Sequence, residues 1–157
     1  MQLTDKKPRG FLRWAFRLPV WLFRLRLGWL MVGHFLMVTT TGRKSGQPRY
    51  AVIEIIKRDK ASRAYIVVAG WGERCDWYQN ILKTPQVRVD VGFRRFPARA
   101  EIMDSDTAAT LLADYARRFP FPFRQFAKIL SGESVIGTFE ECRRLVQMAP
   151  LVAFRPI

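Results

Sequence analysis

Short apolar segments separated by hairpin-length turns constrain this chain more than any other feature. Arg49–Lys57 (RYAVIEIIK) and Arg63–Gly70 (RAYIVVAG) flank a polar turn at Arg58–Ser62. Gln86–Gly92 (QVRVDVG) alternates and meets Arg94–Met103 (RRFPARAEIM) across a turn at Gly92. Antiparallel neighbours accept such connections, whereas parallel strands need a crossover, usually helical. His34–Thr41 adds a strand closed by Gly42, and Leu151–Arg155 a final one. Helical patterns occupy Asp76–Leu82, Ser105–Arg118, Gln125–Leu130 and Thr138–Met148. Asp76 or Cys75 caps the first of these and Asp104 or Ser105 the second, while Phe119–Phe123 (FPFPF) breaks the helical run. An α+β fold follows, with a mostly antiparallel, barrel-like sheet and flanking helices.

The first 33 residues read differently. After a polar start, Arg9 to about Gly33 is helical in pattern. Arg13, Arg17 and Arg24 share one narrow sector, and Phe, Leu and Trp fill most of the rest. Pro19 predicts a kink or two short helices near Leu18. The longest apolar run, Leu27–Val38, is about 12 residues, short of the roughly 20 that a spanning helix needs. Arginines interrupt the apolar stretch and no small-residue cleavage site follows it, so a signal peptide is not expected. The chain thus divides into a helical segment, 1–33, amphipathic and kinked near Pro19, and a cofactor-binding domain, 34–157. Residues 9–33 either lie on a membrane surface, with Trp14, Trp21 and Trp29 at the interface, or pack on the barrel or at a homodimer interface. Cys75 and Cys142 stand apart in no zinc or disulfide pattern. The expected location is the cytoplasm, with peripheral contact at the inner face of the cell membrane left open.

Charge narrows the partners. The chain carries 27 Lys and Arg against 13 Asp and Glu, a formal net of +14, and so attracts nucleic acid, acidic headgroups or phosphorylated small molecules. Thr39–Arg49 (TTTGRKSGQPR) concentrates that charge: Arg43, Lys44 and Arg49 bring cations, Thr40, Thr41 and Ser45 hydroxyls, and Gly42 and Gly46 close backbone approach. The order differs from a P-loop, where Lys directly follows the second Gly. A second segment, Val67–Asn80 (VVAGWGERCDWYQN), ends a strand in small residues and opens a helix with Trp77-Tyr78. Small residues there leave room for a flat ring. Taken singly, the first segment reads equally as a solvated basic hairpin, and the second as core aromatics.

In combination and in this order, the two segments resemble the deazaflavin (F420)-dependent nitroreductase family. The resemblance runs from about Phe35 to Ala100, and Leu151–Arg155 matches the closing strand. It implies a split β-barrel of the FMN-binding type and an oxidoreductase that uses coenzyme F420. By that resemblance Arg43, Lys44, Ser45 and Arg49 hold the phosphate or glutamates of the cofactor tail. Tyr50, Ala51, Val52 and Ile53 run along the ring system. Val68, Ala69, Gly70 and Trp71, with Asp76, Trp77, Tyr78, Gln79 and Asn80, complete the cofactor site. Tyr115 is the counterpart of a substrate-pocket tyrosine and the candidate proton donor, beside an apolar pocket of Phe119, Phe121 and Phe123. The implied reaction passes a hydride to a small electron-poor acceptor: a quinone, nitroaromatic or activated alkene. FMN, or a haem-type tetrapyrrole, in the same barrel is the alternative cofactor. A non-enzymatic binder of anionic surfaces is the rival class. Nucleic acid is not an expected partner, because no nucleic-acid-binding signature appears. No metal cluster or Ser/His/Asp set is present either.

Overall fold

Side-chain alternation decides what each strand buries, and it sorts the strands into two sets. The computed structural model describes residues 18–25 and 33–157. Its strands are β1 (Phe35–Thr41), β2 (Pro48–Arg58), β3 (Tyr65–Val68), β4 (Gln86–Val91), β5 (Arg94–Ile102) and β6 (Leu151–Pro156). The helices are α1 (Leu18–Arg24), α2 (Asp76–Lys83), α3 (Ser105–Arg118), α4 (Pro120–Ser131) and α5 (Phe139–Met148). The strands close into a barrel in the order β1-β2-β3-β6-β5-β4. Every neighbouring pair is antiparallel, as hairpin-length turns require. No helix among the described residues is long and apolar enough to cross a membrane.

Leu36, Val38, Val67, Val89, Val152 and Phe154 fill the barrel, and Tyr78 and Ile81 of α2 pack among them. β4 therefore alternates, with valines inward and Gln86, Arg88 and Asp90 between them. β3 and β6 do not alternate. Tyr65–Val68 and Leu151–Phe154 are buried throughout, because Ile66, Val68, Leu151 and Ala153 face a second core beneath α3, α4 and α5. Their unbroken apolar runs in the sequence are the mark of strands covered on both faces. β2 serves both cores. The pairing of β2 with β3 shifts between Ile55 and Lys57, so Ile55 packs with the barrel interior and Ile56 with the helices.

One local expectation needs correction. FPFPF ends α3 at Arg118, but it does not keep the next helix waiting until Gln125. Phe119 is both the C-cap of α3 and the N-cap of α4, which begins at Pro120. Proline in a first helical turn is harmless, because the amide it lacks has no intrahelical partner there. The new turn also changes the fate of the phenylalanines. Phe123, expected in a substrate pocket, is fully buried in the second core. Its ring lies against Gly137, where a Cβ would sit 2.4 Å from that of Ala116 and 3.2 Å from Phe123 Cε1. The kink expected near Pro19 and the helix expected over Arg9–Gly33 fall mostly outside the described residues; within them, α1 contains Pro19 in its first turn.

These placements predict opposite outcomes for neighbouring phenylalanines. Phe123→Ala should lower the free energy of unfolding by about 3–5 kcal/mol. Phe121→Ala, at a side chain 72% exposed, should stay within about 0.5 kcal/mol. Urea denaturation of both variants measures the difference, and equal losses would refute the assignment of Phe123 to the core.

Candidate functional site

The basic loop is built tightly. Gly42 N donates to Gln47 O at 2.8 Å, and Gly46 N donates back to Gly42 O at 2.8 Å. A Cβ on Gly42 would lie 2.8 Å from Ser45 Oγ and 3.0 Å from Gln47 O, so only glycine fits without a shift.

What positions this loop is Asn80, on α2 and only 1% exposed. Its Nδ2 donates to Thr40 Oγ1 at 3.0 Å, at the end of β1. Its Oδ1 accepts from Arg43 N at 3.1 Å and from Arg43 Nη1 at 3.2 Å. Arg43 Nη2 reaches Asp76 Oδ1 at 3.2 Å, and Lys83 Nζ donates to Arg43 O at 2.9 Å. Strand, loop and helix are thereby joined through one buried amide whose donor and acceptor are both satisfied.

Beside this junction opens a cavity of about 770 Å³. The loop supplies Gly42, Arg43, Lys44 and Ser45; β2 supplies Pro48, Arg49, Tyr50 and Ala51. Trp71, Cys75, Asp76, Trp77 and Asn80 line it from the far side, and Val20, Trp21 and Arg24 of α1 close over it. Its lining combines cations with aromatic rings, and the two meet where the Arg24 guanidinium stacks on Trp21 and Tyr50. Such a cavity can seat an anionic tail together with a flat ring. Trp77 is held edge-on to Tyr78, with ring centroids 6.1 Å apart, and tilted against Phe154 at 6.2 Å.

Other residues expected at the cofactor lie elsewhere. Ile53 turns into the barrel and Tyr78 and Ala69 are buried there, while Val68 belongs to the helical core. Val52 and Gly70 are half-buried outside the cavity lining. The Gln79 side chain donates to Glu73 O at 2.5 Å. In the other direction, sequence reasoning left Val20, Trp21, Arg24, Pro48 and Cys75 out of the cofactor site. Arg24 was visible as a cation in an apolar helix, but only tertiary packing brings it over the barrel. Cys75 offers no thiolate, since burial pushes its thiol up to about 11.

Tyr115 is not at this cavity. It lines a separate one of about 210 Å³ with Ile56, Lys57, Arg58, Leu111, Asp114, Arg118 and Phe119. Its hydroxyl donates to Glu54 Oε1 at 3.2 Å, tying α3 to β2. Burial first, and then the Glu54 charge, push the phenol up to about 12. The Phe119 ring lies 5.3 Å from that of Tyr115, and Phe121 is exposed. The expected pocket of Phe119, Phe121 and Phe123 is thus not assembled around the larger cavity, and Tyr115 directs its proton at a carboxylate.

Both features are measurable. Asn80→Ala should cost about 1–3 kcal/mol of stability, since it leaves Thr40 and the Arg43 amide without their buried partner; a loss under about 0.5 kcal/mol would contradict the junction. For Tyr115 the sign is set by the raised pKa. The unfolded phenol ionises near its ordinary value of about 10, the folded one at about 12, so stability is lost as pH rises through that interval. Tyr115→Phe should remove a phenol titrating at about 12 from an ultraviolet absorbance titration and flatten the alkaline loss of stability.

Residues 20–128 match the family model described as F420H(2)-dependent quinone reductase. Three solved structures with the same fold are similar at low identity. An F420-H2 dependent reductase, FDR-A, is 20% identical with a TM-score of 0.53, covering 78% of this chain and 94% of that one. A pyridoxamine 5'-phosphate oxidase-related, FMN-binding protein of Nostoc punctiforme is 14% identical with a TM-score of 0.57, covering 98% and 83%. A heme storage protein of Vibrio cholerae is 16% identical with a TM-score of 0.53, covering 90% of each chain. The barrel is common to proteins titled with different cofactors, so the fold alone does not choose among them.

Proposed function

The chain belongs to the F420H(2)-dependent quinone reductase family, an oxidoreductase family using coenzyme F420, and on that premise we propose that its physiological acceptor is a quinone reduced in the cavity that Tyr50 and Trp71 line. The observation that carries this reading is the mixed lining, in which Lys44, Ser45 and Arg49 share one cavity with Tyr50, Trp71 and Trp77. The donor set fits F420: cations and a hydroxyl suit a phosphate and glutamate carboxylates, and aromatic walls suit a planar ring.

When bound in its reduced form, F420 supplies a hydride. The residues of this chain then bind, orient and screen. Lys44, Ser45 and Arg49 anchor the tail and so limit how far the ring can move, which is the positional part of the rate enhancement. Trp71, 45% exposed at the cavity wall, offers a flat surface against which a quinone can lie. Reduction of a quinone by a hydride requires one further proton. Tyr115 sits in the other cavity, so in this reading water, rather than that phenol, delivers the proton. The packing of α1 on β2, with the Arg24 guanidinium 5.1 Å from the Tyr50 ring, supports a barrel-packed rather than membrane-bound role for residues 18–25.

Fluorescence titration with F420 and with FMN tests the cofactor half, and oxidation of reduced F420 by menadione the acceptor half. F420 should bind more tightly than FMN, with an affinity that falls as salt rises. Lys44→Ala and Arg49→Ala should each weaken F420 by about 5- to 10-fold, the range for charge-assisted bonds discounted for exposure. Turnover of a nitroaromatic or an activated alkene with no turnover of any quinone would sink the acceptor assignment.

A further inference from the structure

The cations facing the cavity are not equivalent. Arg43 is committed within the protein: Nη1 to Asn80 Oδ1 and Nη2 to Asp76 Oδ1, each at 3.2 Å. Its main-chain amide also donates to Asn80 Oδ1. Such a guanidinium has few free donors and a neutralising carboxylate already beside it.

Arg24 is in the opposite situation. It reaches the cavity from α1, a helix otherwise apolar in LPVWLFR. Its guanidinium lies 4.9 Å from the centroid of the Trp21 ring and 5.1 Å from that of Tyr50. Among the described residues it forms no ion pair. Aromatic stacking holds a guanidinium by its faces and leaves its N–H edge free for a planar or tetrahedral anion. Lys44 and Arg49 line the same cavity, also without an ion pair among the described residues. Asp76, the acidic group in the lining, is the one gripped by Arg43.

We propose that Arg24 is an anion-binding residue of the cofactor site, holding a phosphate or carboxylate of the tail together with Lys44 and Arg49, while Arg43 is a positioning residue that sets the loop. The inference rests on the F420 reading above and extends the site to an element before the barrel. It gives α1 a binding role: an anion held between Arg24 and the loop bridges the helix to β2, so cofactor and helix secure one another.

The test uses the full-length protein with Arg24→Gln, which keeps a polar stem and removes the charge, Arg24→Lys and Arg43→Gln. F420 and a deazaflavin riboside lacking the phosphate and glutamates are titrated across a salt series, and inorganic pyrophosphate is titrated by tryptophan fluorescence, for which Trp21 beside Arg24 is a local reporter. Arg24→Gln should weaken F420 about 10-fold, flatten its salt dependence, change the tail-less riboside by less than about 2-fold, and abolish the pyrophosphate response, with an unchanged melting temperature. Arg24→Lys should restore part of the salt dependence. Arg43→Gln should weaken F420 with a parallel salt dependence and a lowered melting temperature, the signature of a displaced loop rather than a lost contact. Wild-type F420 affinity and pyrophosphate response in Arg24→Gln would overturn the proposal. Failure of the wild type to bind F420 while still answering pyrophosphate through Arg24 would overturn the cofactor reading instead.

Discussion

The carboxamide of Asn80 is where the barrel, the basic loop and α2 meet, and the cavity depends on it. A loop as rich in glycine and cations as Gly42–Arg49 has little reason to hold one shape: its charges repel, and its glycines lose the most entropy on ordering. Asn80 answers both. It fixes the backbone of Arg43 and the end of β1 through Thr40, and it recruits the Arg43 side chain into a bridge to Asp76. The Asn80–Thr40 bond is buried and the bonds from Arg43 to Asn80 partly so, which limits competition from water, whereas the Arg43–Asp76 bridge is exposed. The cations left over, Lys44 and Arg49, are then presented from a rigid base, so little ordering remains to be done when an anion arrives.

β2 is the second constraint. At one end it lines the cavity with Arg49, Tyr50 and Ala51; at the other, within the shift in pairing between Ile55 and Lys57, it joins the helical core through Ile56. The Glu54–Tyr115 bond lies between, linking α3 to the outer face of the same strand. Packed in part against both cores, the strand couples the cavity wall to each of them.

The barrel was readable because each of its signals is local. Valines at alternate positions of QVRVDV, and a turn at Gly92, specify a hairpin without reference to anything distant. The unbroken YIVV and LVAF runs were equally legible as buried strands, though not the identity of what buried them. FPFPF misled because proline reads as a break, whereas its effect depends on whether it falls at the end of a helix or the start of the next. The basic loop could be named from its residues, but the split of roles between Arg43 and Lys44, adjacent in sequence, depends on Asn80, some forty positions away. Tyr115 has the same character. Nothing near it in the sequence says that Glu54 will face it, and that contact decides where its proton points.

The distribution of charge completes the picture. A net charge of +14 suggests a diffusely basic surface, but the ion pairs are placed unevenly. Arg88 and Arg95 flank Asp90; Arg117 and Arg118 share Asp114; Arg143 meets Asp106, and Arg155 meets Glu101. Acidic residues are few, and these pairs draw many of them to β4, β5 and the helices, away from the cavity. There Asp76 is already held by Arg43, so the fields of Lys44, Arg49 and Arg24 add rather than cancel. A concave site of net positive charge, walled in part by apolar aromatic rings, focuses field lines and raises the local concentration of a multiply charged anion. Within the larger basic excess, the stacked Arg24 and the loop-borne Lys44 and Arg49 converge on one cavity.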